Sequence, residues 1–170
     1  MFNAKWKAKG DEGEAALREW LDRNGFGYVA VCQAKETFAR LFVGELKRPD
    51  FLVLVDSVGI LAVDAKNREL LSDGYYPLDY EKELKRAIMF ERIFRLPIWY
   101  AYQGKERDQW NWISALKAFE VGEKCGDGPT SFLKISPDEF ACVNTGADFG
   151  KLYTHRMPGF GKLRAGTEWE

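Results

Sequence analysis

The residues best suited to chemistry lie in one stretch, "KRPDFLVLVDSVGILAVDAKNREL", Lys47 to Leu70. Asp50 follows a proline and opens one apolar run, and Asp64 and Lys66 close the next. The runs "DFLVLV" and "GILAVDAK" are joined by "DSVG" and read as a β-hairpin with a glycine-containing turn. In a hairpin the start of the first strand faces the end of the second, so Asp50 is expected beside Asp64. Side chains alternate along a strand, so Asp64 and Lys66 share a face and Ala65 takes the other. Two carboxylates held close repel each other, more strongly in a low dielectric, and a divalent cation relieves the repulsion. Oxygen ligands with room for water and phosphate suit Mg2+ or Mn2+. Ala65 adds a backbone carbonyl to the set. Lys66 is placed to hold an attacking water or to offset the charge of a pentavalent phosphate. A third acid is expected from the first helix, where Glu12 and Glu14 precede an apolar stripe; Glu14, one turn before Arg18, is the better placed.

Each of these residues also has a plainer reading. Asp50 after Pro49 is an ordinary turn residue. Asp64 and Lys66 make a solvated ion pair at a strand end. Glu14 is an acid favoured by the helix dipole near an N-terminus. What sets them apart is their joint placement at matching ends of one hairpin.

The positioning elements follow from periodicity. "GDEGEAALREWLDRNGFG" reads as a helix with Ala15, Ala16, Leu17, Trp20 and Leu21 on one side, acids in its first turn and Gly25 as its stop. "YVAVCQ" and "RLFVGEL" are strand candidates. The hairpin runs are nearly continuous in apolar residues, which predicts a sheet covered on both faces. "LDYEKELKRAIMFERIFR" reads as a long helix with Tyr80, Leu84, Ala87, Ile88 and Phe94 as its stripe and Lys82, Lys85, Arg86 and Arg92 off it. Glu91 lies on that stripe, either as a partner for a buried Arg or Tyr hydroxyl or as a further active-site acid. Pro97 ends the helix, and "IWYAYQ" follows as a strand. "WNWISALKAF" fits a helix or a strand, "SFLKI" a strand, and "PDEFACV" a helical turn or a strand. The order predicts an α/β or α+β fold with a mixed central β-sheet flanked by helices.

The 170 residues fit a single domain, expected over 1–170, with a basic N-terminal arm over about 1–9 and a loose C-terminal tail over about 145–170. The chain is 46% hydrophobic and 15% aromatic, a globular composition that folds without a disulfide or metal staple. Cys32, Cys125 and Cys142 are odd in number and far apart, which fits a reducing cytoplasm and no metal or disulfide framework. The N-terminus lacks the apolar core of a signal peptide, and no run reaches the length of a membrane span. A cytoplasmic location is expected. A single histidine, His155, argues against histidine-based nucleases, histidine metal clusters and Ser–His hydrolases. No phosphate-binding P-loop pattern occurs, which argues against ATP-driven chemistry within the chain. Net charge is −1, a balance compatible with acids gathered at a centre and bases around it. Two basic sets are candidates for following a nucleic-acid backbone: Lys5, Lys7 and Lys9 around Trp6, and Lys82, Lys85 and Arg86 on the long helix. Solvated helix faces explain them as well. Tyr75, Tyr76, Trp110 and Trp112 are either core residues or platforms for unpaired bases.

The pattern Pro49-Asp50 with Asp64-Ala65-Lys66 resembles the PD-(D/E)XK nuclease superfamily. The resemblance runs from about Gly10 to Gln103 and takes in the acid-bearing "KGDEGE" and the helix–strand unit "YEKELKRAIMFERIFRLPIWYAY". Small members of similar appearance are the archaeal Holliday-junction resolvases and restriction-type endonucleases. The resemblance implies a restriction-endonuclease-like core, Mg2+-dependent hydrolysis of DNA phosphodiesters and 5′-phosphate products. It places Asp50, Asp64, Glu14 and the Ala65 carbonyl on the metal and Lys66 on the water and transition state. The second motif acid is Asp rather than the commoner Glu, and the chain after about Asp108 matches no subfamily. An endonuclease is expected before an exonuclease, and a homodimer would bring two sites to two strands. Two other functions remain open at this point: a non-cutting nucleic-acid-binding subunit of the same fold, and a hydrolase of a small phosphorylated substrate.

Overall fold

The structure is a computed structural model that describes residues 2–56, 59–106 and 108–156, with side chains described for these except at 2–8, 35 and 154–156. Helix α1 (Phe2–Arg23) leads into strand β1 (Tyr28–Ala30), followed by the hairpin β2 (Phe51–Val55) and β3 (Gly59–Lys66). Strand β4 (Tyr76–Asp79) runs into a π-helical turn (Tyr80–Leu84) and helix α2 (Lys85–Phe94). Then come β5 (Ile98–Gln103), β6 (Trp110–Ser114), α3 (Ala115–Val121), β7 (Glu123–Cys125), β8 (Phe132–Ile135), β9 (Ala141–Val143) and α4 (Gly150–Arg156).

The main sheet has the order β1-β2-β3-β5-β6-β9, parallel only between β3 and β5, and a smaller sheet has the order β4-β8-β7. The expected mixed central sheet flanked by helices is thus present. Both faces are covered, as the continuous apolar runs require. On one face Phe51, Val53, Val63, Trp99, Trp110 and Trp112 pack against Leu17, Trp20 and Leu21 of α1 and Leu152 of α4. On the other, Ala62, Ile98, Tyr100 and Tyr102 pack against Leu84, Ala87 and Phe90, with α3 and the small sheet beyond.

α1 begins at Phe2, well before the expected start at Gly10. The reason is propensity: Ala4, Lys5, Lys7, Ala8 and Lys9 are strong helix formers. The expected basic arm over 1–9 is therefore the first turns of α1, and Glu14 lies inside the helix rather than in its first turn. The stop is as expected. Gly25 takes a left-handed φ of 72°, and the Phe26 N–H reaches back to the Leu21 carbonyl at 3.0 Å.

"RLFVGEL" is not a strand. Arg40–Phe42 form a 3-10 turn, and the Phe42 carbonyl accepts from Glu45 and Leu46 N–H at 3.1 Å each. Local bonds satisfy this backbone, so it needs no neighbouring strand. The ambiguous segments resolve as both options in series. "WNWISALKAF" is β6 followed by α3, capped by Ser114, and "PDEFACV" is a 3-10 turn (Pro137–Glu139) followed by β9. The expected loose tail from 145 is ordered through Arg156: Thr145 and Asp148 form a capping box, and Phe149 packs on Phe26 at 4.3 Å. His155 and residues from 157 fall outside the described side chains. Trp110, Trp112 and Tyr76 are buried, which removes them as base-stacking platforms; Tyr75 is 39% exposed.

Candidate active site

β2 and β3 pair with Phe51 opposite Val63, so one further step places Asp50 opposite Asp64. The Asp50 N–H donates to the Val63 carbonyl at 2.9 Å, and the Ala65 N–H donates to Asp50 Oδ2 at 2.8 Å. The loop before Asp50 is fixed as well. Arg48 Nη1 donates to the carbonyls of Cys32 and Ala34 at 2.7 and 2.8 Å, and the Lys47 N–H donates to the Arg86 carbonyl at 3.1 Å.

α1 crosses the end of β3 closely. A Cβ on Gly13 would lie 3.0 Å from Asn67 Cβ, so a bare glycine permits the approach. Asn67 Nδ2 donates to the Lys9 carbonyl at 3.2 Å. This contact brings Glu14 to the strand ends.

Asp50, Asp64, Ala65, Lys66 and Glu14 line one solvent-open cleft of about 190 Å³. The five residues read from the sequence as catalytic or metal-binding are thus brought together. Lys9 and Arg68 stand at the same cleft, with Lys9 Nζ 2.7 Å from Glu69 Oε1. Lys82, Lys85 and Arg86 do not line it; Lys85 pairs at 3.1 Å with Glu81 of the preceding π-helical turn. The side chains of Lys5 and Lys7 lie outside the described residues.

Three charged residues of the cleft escaped the sequence reading: Lys47, Arg68 and Glu83. Glu83 comes from the π-helical turn, so the 3.6-residue period does not apply there. Glu83 Oε2 lies 2.6 Å from Lys66 Nζ and 2.9 Å from Lys47 Nζ. The same two ammonium groups flank Asp64: Lys47 Nζ is 2.9 Å from Oδ1 and Lys66 Nζ 2.5 Å from Oδ2. Asp64 is 1% exposed, and both of its oxygens are buried with no neutral hydrogen-bond donor among the described residues, facing only these two ammonium groups. Beneath the cluster the Lys66 ammonium sits 5.4 Å from the centre of the Tyr100 ring.

The charges do not balance locally. Burial first, and the Asp64 charge second, push the Asp50 carboxyl up to about 8, with Lys47 opposing only in part. Burial, Asp11 and Asp64 also raise Glu14. Burial alone would raise Glu83, but Lys66 and Lys47 overcome it and hold the group down to about 2. Burial disfavours the Lys47 ammonium, yet Asp64, Glu83 and Asp50 together raise its pKa. With every carboxyl ionised, the Glu14–Asp50–Asp64 side of the cleft would carry excess negative charge, which the raised Asp50 relieves by keeping its proton, whereas the Glu83 side is neutralised by the two ammonium groups.

This donor set fits a hard divalent cation in chemistry: carboxylate oxygens, a backbone carbonyl and open space for water. Asp64's poorly satisfied oxygens and Asp50's raised pKa are both relieved by added positive charge. Among the described residues no three Asp, Glu, His or Cys side chains are already gathered as a ligand set. Glu91, in contrast, is structural: its Oε1 accepts from the Ile98 N–H at 2.7 Å and anchors the start of β5.

No family model matches the chain, and no curated protein sequence matches it. Among solved structures it is similar to Archaeoglobus fulgidus Hjc, a Holliday junction resolvase from an archaeal hyperthermophile. The TM-score is 0.50 at 20% identity, over 75% of this chain and 84% of that one. At that identity the likeness establishes the fold, a restriction-endonuclease-like core, and leaves function to the site.

Proposed function

We propose that the protein is a divalent-metal-dependent DNA nuclease, an endonuclease that leaves 5′-phosphates in a reducing cytoplasm. The observation that carries this reading is the meeting of Asp50, Asp64 and Lys66 at one cleft from matching ends of the hairpin. The shared fold with a Holliday junction resolvase supports it.

Asp50 and Asp64 would hold Mg2+ or Mn2+, with the Ala65 carbonyl and Glu14 completing or extending the set. Such a cation, when bound, supplies Lewis-acid polarisation of a phosphoryl oxygen and a more acidic water. Lys66, fixed by Glu83 and Asp64, positions the attacking water and offsets charge on the phosphate in the transition state. Lys9 and Arg68 at the rim take flanking phosphates, with Lys5, Lys7, Lys82, Lys85 and Arg86 as the wider basic surface for DNA. A homodimer would present two such clefts to two strands.

The test is cleavage of a plasmid and of junction, flap, blunt-duplex and single-stranded oligonucleotides with Mg2+ or Mn2+, comparing wild type with Asp64→Ala and Lys66→Ala. Wild type is expected to cut, and each variant to lose at least about 10²-fold, the usual scale for one transition-state charge. Equal nicking by all three proteins rules the proposal out.

A further inference from the structure

The arrangement around Asp64 has a feature that a permanent ion pair does not need. Its two oxygens are sealed from water, and each is met by a different ammonium, at 2.9 and 2.5 Å. Lys66 and Lys47 differ in how firmly they are held. Lys66 is 11% exposed, stands over the Tyr100 ring and has the shorter contact to Glu83, 2.6 Å against 2.9 Å for Lys47. Lys47 is 21% exposed and sits on the Asp50 side, where Asp50 also attracts it. Its backbone is pinned to the Arg86 carbonyl, so release of Oδ1 would need only rotation of the side chain. A cation shared by Asp50 and Asp64 needs a free oxygen on Asp64. The oxygen that can be released is Oδ1, which faces Lys47.

We propose that Lys47 is a built-in counter-ion for Asp64 that exchanges with the divalent cation: its ammonium holds Oδ1 when the metal is absent and leaves when the metal arrives. This rests on the metal-site reading above and adds a residue that reading does not use. The exchange costs the ligand pair part of its affinity. In return, Oδ1 of the buried Asp64 faces a positive charge in both states, while Lys66 stays on Oδ2 throughout. Glu83, 2.9 Å from the same ammonium, remains as its resting partner after the exchange.

The test measures Mn2+ binding directly, by calorimetry and by the metal-induced rise in Tm, on wild type, Lys47→Met and Asp64→Asn. Lys47→Met is expected to melt lower than wild type without metal, to bind Mn2+ at least about tenfold more tightly, and to show a larger Tm rise on saturation. Asp64→Asn is expected to lose binding. Unchanged or weaker Mn2+ binding by Lys47→Met, with wild type binding normally, overturns the exchange and leaves the nuclease reading standing. No Mn2+ binding by wild type overturns both. If Lys47→Met does not fold, lysine-selective 13Cε NMR of wild type decides. The Lys47 signal must move on adding Mg2+ in step with saturation, and a signal that stays put contradicts the exchange.

Discussion

At the scale of single residues, the site is a problem in charge placement. Asp50 keeps a proton up to about pH 8 in the metal-free fold, whereas the ordinary value is 3.8. The folded state then binds more protons than the unfolded one between those limits. Asp50's contribution to stability is therefore full below about pH 4 and is lost as pH rises through 8. Glu14 is shifted in the same direction. Glu83 is shifted the other way, and its contribution is present above its ordinary 4.5 and lost as pH falls toward 2. Metal-free protein should accordingly melt highest in mild acid. Asp50→Asn should flatten the decline between pH 5 and 8 and raise stability at pH 8 by at least about 1 kcal/mol, the worth of one pKa unit. Saturating Mn2+ should erase the same decline in wild type. Thermal melts across pH, with and without metal, check both. A second outcome concerns Glu83. Glu83→Gln should lower kcat by about 10- to 100-fold with little change in KM, because Lys66 loses its anchor rather than the substrate a contact.

At the scale of elements, the site depends on how α1 meets the end of β3. Gly13 faces Asn67 with no room for a side chain, and Leu17, Trp20 and Leu21 seal the helix onto the sheet. Gly13→Val should push the helix outward, cost about 1–3 kcal/mol as overpacking does, and weaken Mn2+ binding by displacing Glu14. Trp20→Ala should cost about 3–5 kcal/mol, measured by denaturant unfolding, without selectively affecting the metal. The hairpin was legible in the sequence because register is a counting problem: one turn and a period of two suffice to put Asp50 against Asp64. Lys66 and Ala65 followed from the same alternation. Glu83 was not legible, since a π-helical turn shifts side chains away from where a 3.6-residue period places them. Lys47 was not legible either, because its role depends on a side chain crossing to the next strand. "RLFVGEL" misled because its β-propensity is overridden by local carbonyl pairing around Phe42, with Gly44 at a left-handed φ of 84°.

At the scale of the whole molecule, basic and acidic residues nearly cancel, to a net charge of −1. The cleft itself is even, with Lys9, Lys47, Lys66 and Arg68 against Glu14, Asp50, Asp64 and Glu83. On the proposed function, DNA binding would then draw on basic residues around it. With about four to six phosphate contacts, affinity for a DNA junction or duplex should fall by roughly 10²–10³-fold between 50 and 200 mM salt. Joint replacement of Lys82 and Lys85 by Ala should flatten the log–log slope by up to about 1.8 while leaving the Mn2+ affinity unchanged. A slope near zero would fit a small phosphorylated substrate instead. The location of the cation decides most. Anomalous diffraction from crystals soaked in Mn2+ should show a peak at bonding distance from carboxylate oxygens of both Asp50 and Asp64. A peak elsewhere, or none at saturating Mn2+, contradicts the account.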